Sequence, residues 1–144
     1  MDILITELLP DHAAAIANLS GQLGHSVIVA DIEKRLLEVC QHPEHGGFVA
    51  IFNETVIGWI HGFYTIRIQS EPFIEIGSHL IDKQFRRLGI GQLLVEKVMQ
   101  WGAGKGVNKI RVRCRTDRSG AHNFYRMLGF QENKEQKVFD KLIS

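Results

Sequence analysis

The residues whose types and spacing best suit chemistry are Arg86-Arg87-Leu88-Gly89-Ile90-Gly91. They follow an apolar, strand-like run from Ile74 to Ile81 and open an amphipathic helix. Glycine permits positive φ and has no side chain to block approach. The first turn of a helix leaves several N–H groups without intrahelical acceptors and carries the positive end of the dipole. Together these features make an anion pocket, suited above all to a phosphate group. Two arginines just ahead add positive charge. Two familiar phosphate loops are excluded. The dinucleotide fingerprint needs a third glycine where Leu94 stands, and the nucleotide-hydrolase loop needs Gly-Lys-Ser/Thr, which is absent. His42-Pro43-Glu44-His45 invites a metal reading, but no third ligand with usable spacing follows, so no metal is expected.

The elements that must position this loop follow from periodicity and punctuation. Ile3 to Leu9 reads as a strand bounded by Pro10. A helix starts at Pro10-Asp11 and ends at Gly21 and Gly24; a second runs from Asp31 to Cys40. Val27, Ile28 and Val29 between them are expected to pack. Phe48 to Phe52 and Val56 to Ile68 read as a hairpin turning at Asn53-Glu54, with Gly58 and Gly62 marking a bulge or a close backbone approach. Phe73 to Ile81 is the next strand. The long helix is Gly89 to Lys105, with Ile90, Leu93, Leu94, Val98 and Trp101 along one side. Lys109 to Arg115 alternates like a half-buried strand, with Cys114 inward. Ser119 to Leu128 is a short helix, and Gln136 to Ile143 a last strand. The strand–helix–strand unit from Phe73 to Arg115 implies a parallel pairing with a right-handed crossover.

With 144 residues, one domain spanning 1–144 is expected. The chain is 44% hydrophobic and 23% charged, enough to build a core. A formal net charge of +1 gives no field pointing to nucleic acid or a membrane, and no apolar run approaches the roughly 18 residues of a membrane span. Cys40 and Cys114 supply no disulfide framework. Reduced thiols, no signal peptide and a cytoplasmic location are the expectation.

The Arg-x-x-Gly-x-Gly pattern after a strand resembles the acetyl-CoA loop of the GCN5-related N-acetyltransferase (GNAT) family. Ile81 to Gly91 is similar to the family's strand four, loop and helix three, with Lys83 where proline is common. Gly120-Ala121-His122-Asn123-Phe124-Tyr125-Arg126-Met127-Leu128-Gly129-Phe130 is similar to its Ala-x-x-Phe-Tyr-x-x-x-Gly-Phe block. Phe73-Ile74-Glu75-Ile76 is similar to strand-four segments in which some members place a glutamate base. Arg118 stands where many members carry asparagine. The motifs cover the C-terminal half well, and the N-terminal half matches in element order.

The resemblance implies an α/β fold, more closely α+β with a mixed sheet: mostly antiparallel, with a parallel strand4–helix3–strand5 unit and helices on both faces. It implies an acyltransferase in which a primary amine attacks the thioester of acetyl-CoA, the co-substrate, in a ternary complex. Cofactor binding falls to Arg86, Arg87, Leu88, Gly89, Ile90, Gly91 and Gln92 at the diphosphate, to the main chain of Leu80 and Ile81 along the pantetheine arm, and to Arg118 and Tyr125. Glu75 is the candidate base, acting through water, and Tyr125 the candidate acid for the departing thiolate. A backbone N–H near Leu80 or Ile81 meets the developing oxyanion. Period-two alternation sends His79 to the same face as Glu75, which makes it a candidate base or substrate contact; Trp59 and His61 on the third strand are candidate substrate contacts. The acceptor leans toward a small molecule. The alternatives are a non-catalytic acetyl-CoA-binding module of the same fold and a protein or peptide N-acetyltransferase. Oligomeric state stays open, although dimers are common in the family.

Overall fold

A computed structural model describes residues 1–144. Contacts divide the chain into two compact units, Met1–Val112 and Arg113–Ser144. The first holds a five-stranded sheet in the order β1 (Leu4–Glu7), β2 (His45–Phe52), β3 (Thr55–Arg67), β4 (Ser70–Ile81), β5 (Ile110–Val112). The first four strands form an antiparallel meander, and β5 joins β4 in parallel. The β2–β3 hairpin turns on Asn53 and Glu54, both at positive φ (49° and 63°). Two consecutive left-handed residues match the twist of the flanking strands.

Helices cover both faces. Trp59 on β3 and Leu80 on β4 join Leu8 after β1, Val49 on β2, Ala13, Ile16 and Leu19 of α1 (Ala13–Gly21), and Leu36 of α2 (Val29–Gln41), in one cluster. The opposite face meets α3 (Ile90–Gly104), which buries Ile90, Leu94, Val95 and Val98. Each such side chain contributes about 1.5–3 kcal/mol. Close packing there needs glycine: a Cβ on Gly62 would stand 2.8 Å from Val98 Cγ1, and one on Gly102 2.7 Å from Ile74 Cγ1. Gly58 and Gly62 are thus sites of close approach, as the sequence suggested. The buried stripe of α3 is offset from the expected one. Leu93 is exposed and Val95 buried, because the face that meets the sheet runs through Ile90, Gly91, Leu94, Val95, Val98 and Gly102 and leaves Leu93 at its edge. No helix is long and apolar enough to cross a membrane.

Other expectations need correction. Ile28 and Val29 are exposed rather than packed. The fifth strand is shorter than Lys109 to Arg115, since its pairing with β4 covers only Ile110–Val112. In the second unit, α4 (Ser119–Met127) is followed by irregular chain. Gln136 to Ile143 is not a strand: its apolar residues come in adjacent pairs rather than alternating, no neighbouring strand accepts its main-chain bonds, and Val138, Phe139, Leu142 and Ile143 are exposed.

Candidate active site

The turn between β4 and α3 is anchored where it leaves β4. Asp82 Oδ1 accepts from the Gln84 amide at 2.9 Å, starting a 3-10 turn over Lys83–Phe85. The Lys83 amide donates to Gln22 Oε1, beyond α1, at 3.0 Å. The chain then takes left-handed φ at Arg87 (63°) and at Gly89 (83°), the N-cap of α3. Arginine at positive φ is uncommon and bears local strain. The Leu93 amide bonds the Gly89 carbonyl at 3.2 Å, so Ile90, Gly91 and Gln92 are the first-turn residues whose amides have no acceptor within the helix. Arg86, Arg87 and Leu88 are exposed beside them. The Gln92 side chain is engaged along the helix, donating to Glu96 Oε1 at 3.1 Å. This donor set, at the positive end of a fifteen-residue helix, fits a diphosphate.

Just upstream the sheet opens. β5 pairs with β4 at Ile74, Glu75 and Ile76 only, whereas β4 runs on to Ile81. The edge of β4 from Gly77 to Ile81 therefore has no strand beside it on the β5 side. It includes Leu80 and Ile81 and ends at the turn leading to α3. The Leu80 side chain points the other way, into the α1–α2 core.

A bulge sits where the strands part. His61 faces Ser78 while its neighbour Gly62 faces Ile76, so Gly77 is an extra residue in β4. The insertion shifts side-chain alternation by one. Glu75 opposite Phe63 shares a face with His61 and Trp59; His79 opposite Ile60 lies on the α3 face. The expectation that His79 and Glu75 share a face is therefore wrong, because alternation was counted through a bulge. His79 packs toward the helix mouth and hydrogen-bonds the main chain of Gly91. Burial pushes its imidazole down to about 4, with the Gly91 bond opposing. Trp59 is buried among Leu19, Leu36 and Leu80, a core role rather than an exposed contact.

On the Glu75 face, His61 Nε2 lies 2.8 Å from Nδ1 of His45, the first residue of β2. The two rings lie nearly coplanar (14°), edge to edge, with centroids 5.1 Å apart, and His45 stacks on Phe63 at 5.5 Å. Burial, then the neighbouring His45, pushes the His61 imidazole down to about 4. Burial and His42 lower His45 too, against Glu44. His45 carried no sequence signal for this role. Only the cross-strand register, His45 opposite Phe63, brings it to His61. Gly77 was a readable hint, since a lone glycine inside a strand often marks a bulge.

Tyr125 and Arg118 belong to the second unit. Tyr125 is buried on α4, edge-on to Phe124 (5.0 Å) and Phe130 (5.3 Å). Gly129 at φ 94° closes the helix: its amide bonds the Arg126 carbonyl, and the Phe130 amide bonds the Tyr125 carbonyl at 3.0 Å. This pattern is a Schellman motif, and it explains the Gly-Phe that ends the sequence block. Burial, with Cys114 adding, pushes the Tyr125 phenol well above its ordinary range, so it stays a proton donor at neutral pH. Arg118 is the exposed N-cap of α4; its carbonyl accepts from the His122 amide. Burial pushes the Cys114 thiol up, and the Arg118 charge only partly opposes it.

The model of the acetyltransferase (GNAT) family matches residues 19–130. The chain belongs to the GNAT family. Among its relatives, an uncharacterized N-acetyltransferase of Chlorobaculum tepidum is 32% identical over 90% of this chain and 76% of its own. An uncharacterized N-acetyltransferase of Methanocaldococcus jannaschii is 26% identical over 72% of this chain, which spans about half (46%) of that protein. Aminoglycoside N(6')-acetyltransferase type 1 of Salmonella typhimurium is 24% identical over 71% of this chain and 72% of its own. Among solved structures, AAC(6')-Iy bound to the bisubstrate analogue CoA-S-monomethyl-acetylneamine superposes with a TM-score of 0.87 at 18% identity, over 99% of both chains. Glucosamine-6-phosphate N-acetyltransferase from Arabidopsis thaliana gives 0.80 at 18% identity over 100% of both. These structures share the fold of this chain.

Proposed function

We propose that this GNAT protein transfers the acetyl group of acetyl-CoA to a primary amine of a small molecule by direct attack in a ternary complex. The observation that carries the reading is the parting of β4 from β5 after Ile76, with Glu75 just before the bulge and the α3 mouth at the far end of the free edge. One span thus offers amides for a diphosphate, a strand edge for the amide-bearing pantetheine arm and a carboxylate for the amine proton. Acetyl-CoA supplies the activated acyl group. The amides of Ile90, Gly91 and Gln92 bind the diphosphate with Arg86 and Arg87. The edge at Leu80 and Ile81 orients the arm by strand addition.

Glu75 takes the proton that most amines carry at neutral pH, through a water. Tyr125, protonated throughout the working range, has the role that the family motif gives it, a hydrogen bond or proton for the leaving thiolate. The small-molecule acceptor is supported by the aminoglycoside N(6')-acetyltransferase among the relatives, a protein named for such a substrate. The test is thiol release from acetyl-CoA over a panel of amines, peptides with free N-termini and lysine peptides. Turnover restricted to small amines is expected. Turnover only on peptides overturns the acceptor class, and CoA binding without release under any acceptor overturns the enzymatic reading.

A further inference from the structure

We propose that His61 and His45 form a proton relay from the β4 bulge to solvent, carrying away the proton that the acceptor amine must lose; this rests on the acetyl-transfer reading above. The geometry is a continuous line of nitrogens. At the inner end, an ideal Cβ on Gly77 would stand 3.2 Å from His61 Nδ1 and 3.1 Å from Phe63 Cε1, so the bare glycine leaves that nitrogen accessible at the bulge. On the other side of the ring, His61 Nε2 meets His45 Nδ1 at 2.8 Å. His45 is only half-buried at the start of β2 and sits edge-on to exposed His42, centroids 4.7 Å apart. Phe63 stacks on His45 and, being apolar, leaves the His61–His45 bond as the polar route. The charged and titratable groups around the pair are Glu75 on β4 and His42 and Glu44 before β2.

The balance is one proton in and one proton out. The amine nitrogen releases a proton to water at Glu75, and His61 Nδ1 accepts it. His61 Nε2–H passes to His45 Nδ1, and His45 Nε2–H leaves to water. Both rings end neutral with their tautomers exchanged. Rings held neutral suit this role, because each then keeps one acceptor nitrogen for the incoming proton.

The test compares wild type with His45→Gln, which keeps a polar side chain but cannot pass a proton through, and with Gly77→Ala, which caps Nδ1 while leaving both histidines. For an amine protonated at the assay pH, His45→Gln is expected to lower kcat roughly ten- to a hundredfold, within the range of lost proton transfer. KM for acetyl-CoA should not change. For an amine already neutral at that pH, such as hydroxylamine, the loss should be several times smaller. Equal losses for both acceptors, or none, overturn the relay. A second readout needs no turnover: in protein with ¹⁵N-labelled histidine, a slowly exchanging ring proton joining His45 and His61 is expected, lost in His45→Gln. Its absence in wild type overturns the relay. Wild type that releases no thiol with any amine overturns the acetyl-transfer reading itself, and that result is distinct from an active wild type with an indifferent His45→Gln.

Discussion

The two faces of β4 are built from different materials. Toward α3 it presents Ile74, Ile76 and His79, packed to contact distance, and the nearby anion pocket is made of main-chain amides. The opposite face presents Glu75 beside the clustered rings of His45, His61 and Phe63. The pocket beside the first face binds by backbone geometry, so binding there depends on φ more than on side chains. The second acts through titratable side chains, so it should tolerate changes of packing but not of chemistry. One inserted residue, Gly77, separates them by sending Glu75 and His79 to opposite sides.

The sharpest way to break this division is Glu75→Gln. The substitution keeps shape and removes the base, so kcat should fall by about 10²–10⁴ with CoA affinity unchanged. Isothermal titration with CoA and steady-state kinetics separate the two quantities. Affinity falling with kcat would mean that Glu75 serves the binding face as well.

The second test uses pH. His61 and His79, one on each face, are both lowered to about 4 from 6.5. Between pH 6.5 and 4 the unfolded chain binds more protons than the native one, so stability falls as pH falls through this window and levels off below it. Each buried ring contributes on the order of a few kcal/mol at most, since a tenfold weakening of proton affinity is worth about 1.4 kcal/mol. Urea unfolding at pH 7 and pH 4.5 should show the loss. His79→Phe, which removes one of the rings, should reduce the pH dependence by about half.

The sequence made one face far more legible than the other. Arg86 to Gly91 identifies the anion pocket because φ requirements select glycine, and glycine is visible in a sequence. The Gly129-Phe130 pair identifies the end of α4 for the same reason. The meander and the parallel crossover follow from alternation and element order. The histidine pair was hidden because His45 and His61 lie sixteen positions apart and meet through register alone. His79 was misassigned because alternation carries across a strand only while the pairing is unbroken. The C-terminal segment from Gln136 failed for another reason: branched and aromatic residues suit a strand, but pairing needs a neighbour.

Packing on the α3 face gives the third prediction. Gly62→Ala sets a methyl 2.8 Å from Val98 Cγ1 and 3.3 Å from Ile74 Cγ2, both in fully buried side chains with little room to move. Overpacking of this kind costs about 1–3 kcal/mol. The denaturation midpoint should drop without a change in m, while the kinetics of the folded fraction stay near wild type. A neutral result would mean that α3 can slide over the sheet, and the backbone pocket at its mouth would not be rigid.

The smallest expected effect is the most diagnostic for the pocket. Gly89 caps α3 at φ 83°, and a Cβ there meets nothing within 4 Å. Gly89→Ala therefore brings no clash, only the left-handed penalty of about 1–2 kcal/mol for an L-residue. If the residue keeps its φ, the fold loses that amount and the amides of Ile90, Gly91 and Gln92 still point outward. If the turn relaxes instead, stability is recovered and the amides rotate away, weakening CoA by up to about tenfold, the equivalent of about 1.4 kcal/mol. The two losses draw on the same strain, so they should trade against each other and sum to about the same 1–2 kcal/mol. Paired measurement of the unfolding free energy and CoA affinity checks the sum. Losses in both that far exceed it would show that Gly89 supports the mouth of α3 by more than its backbone freedom.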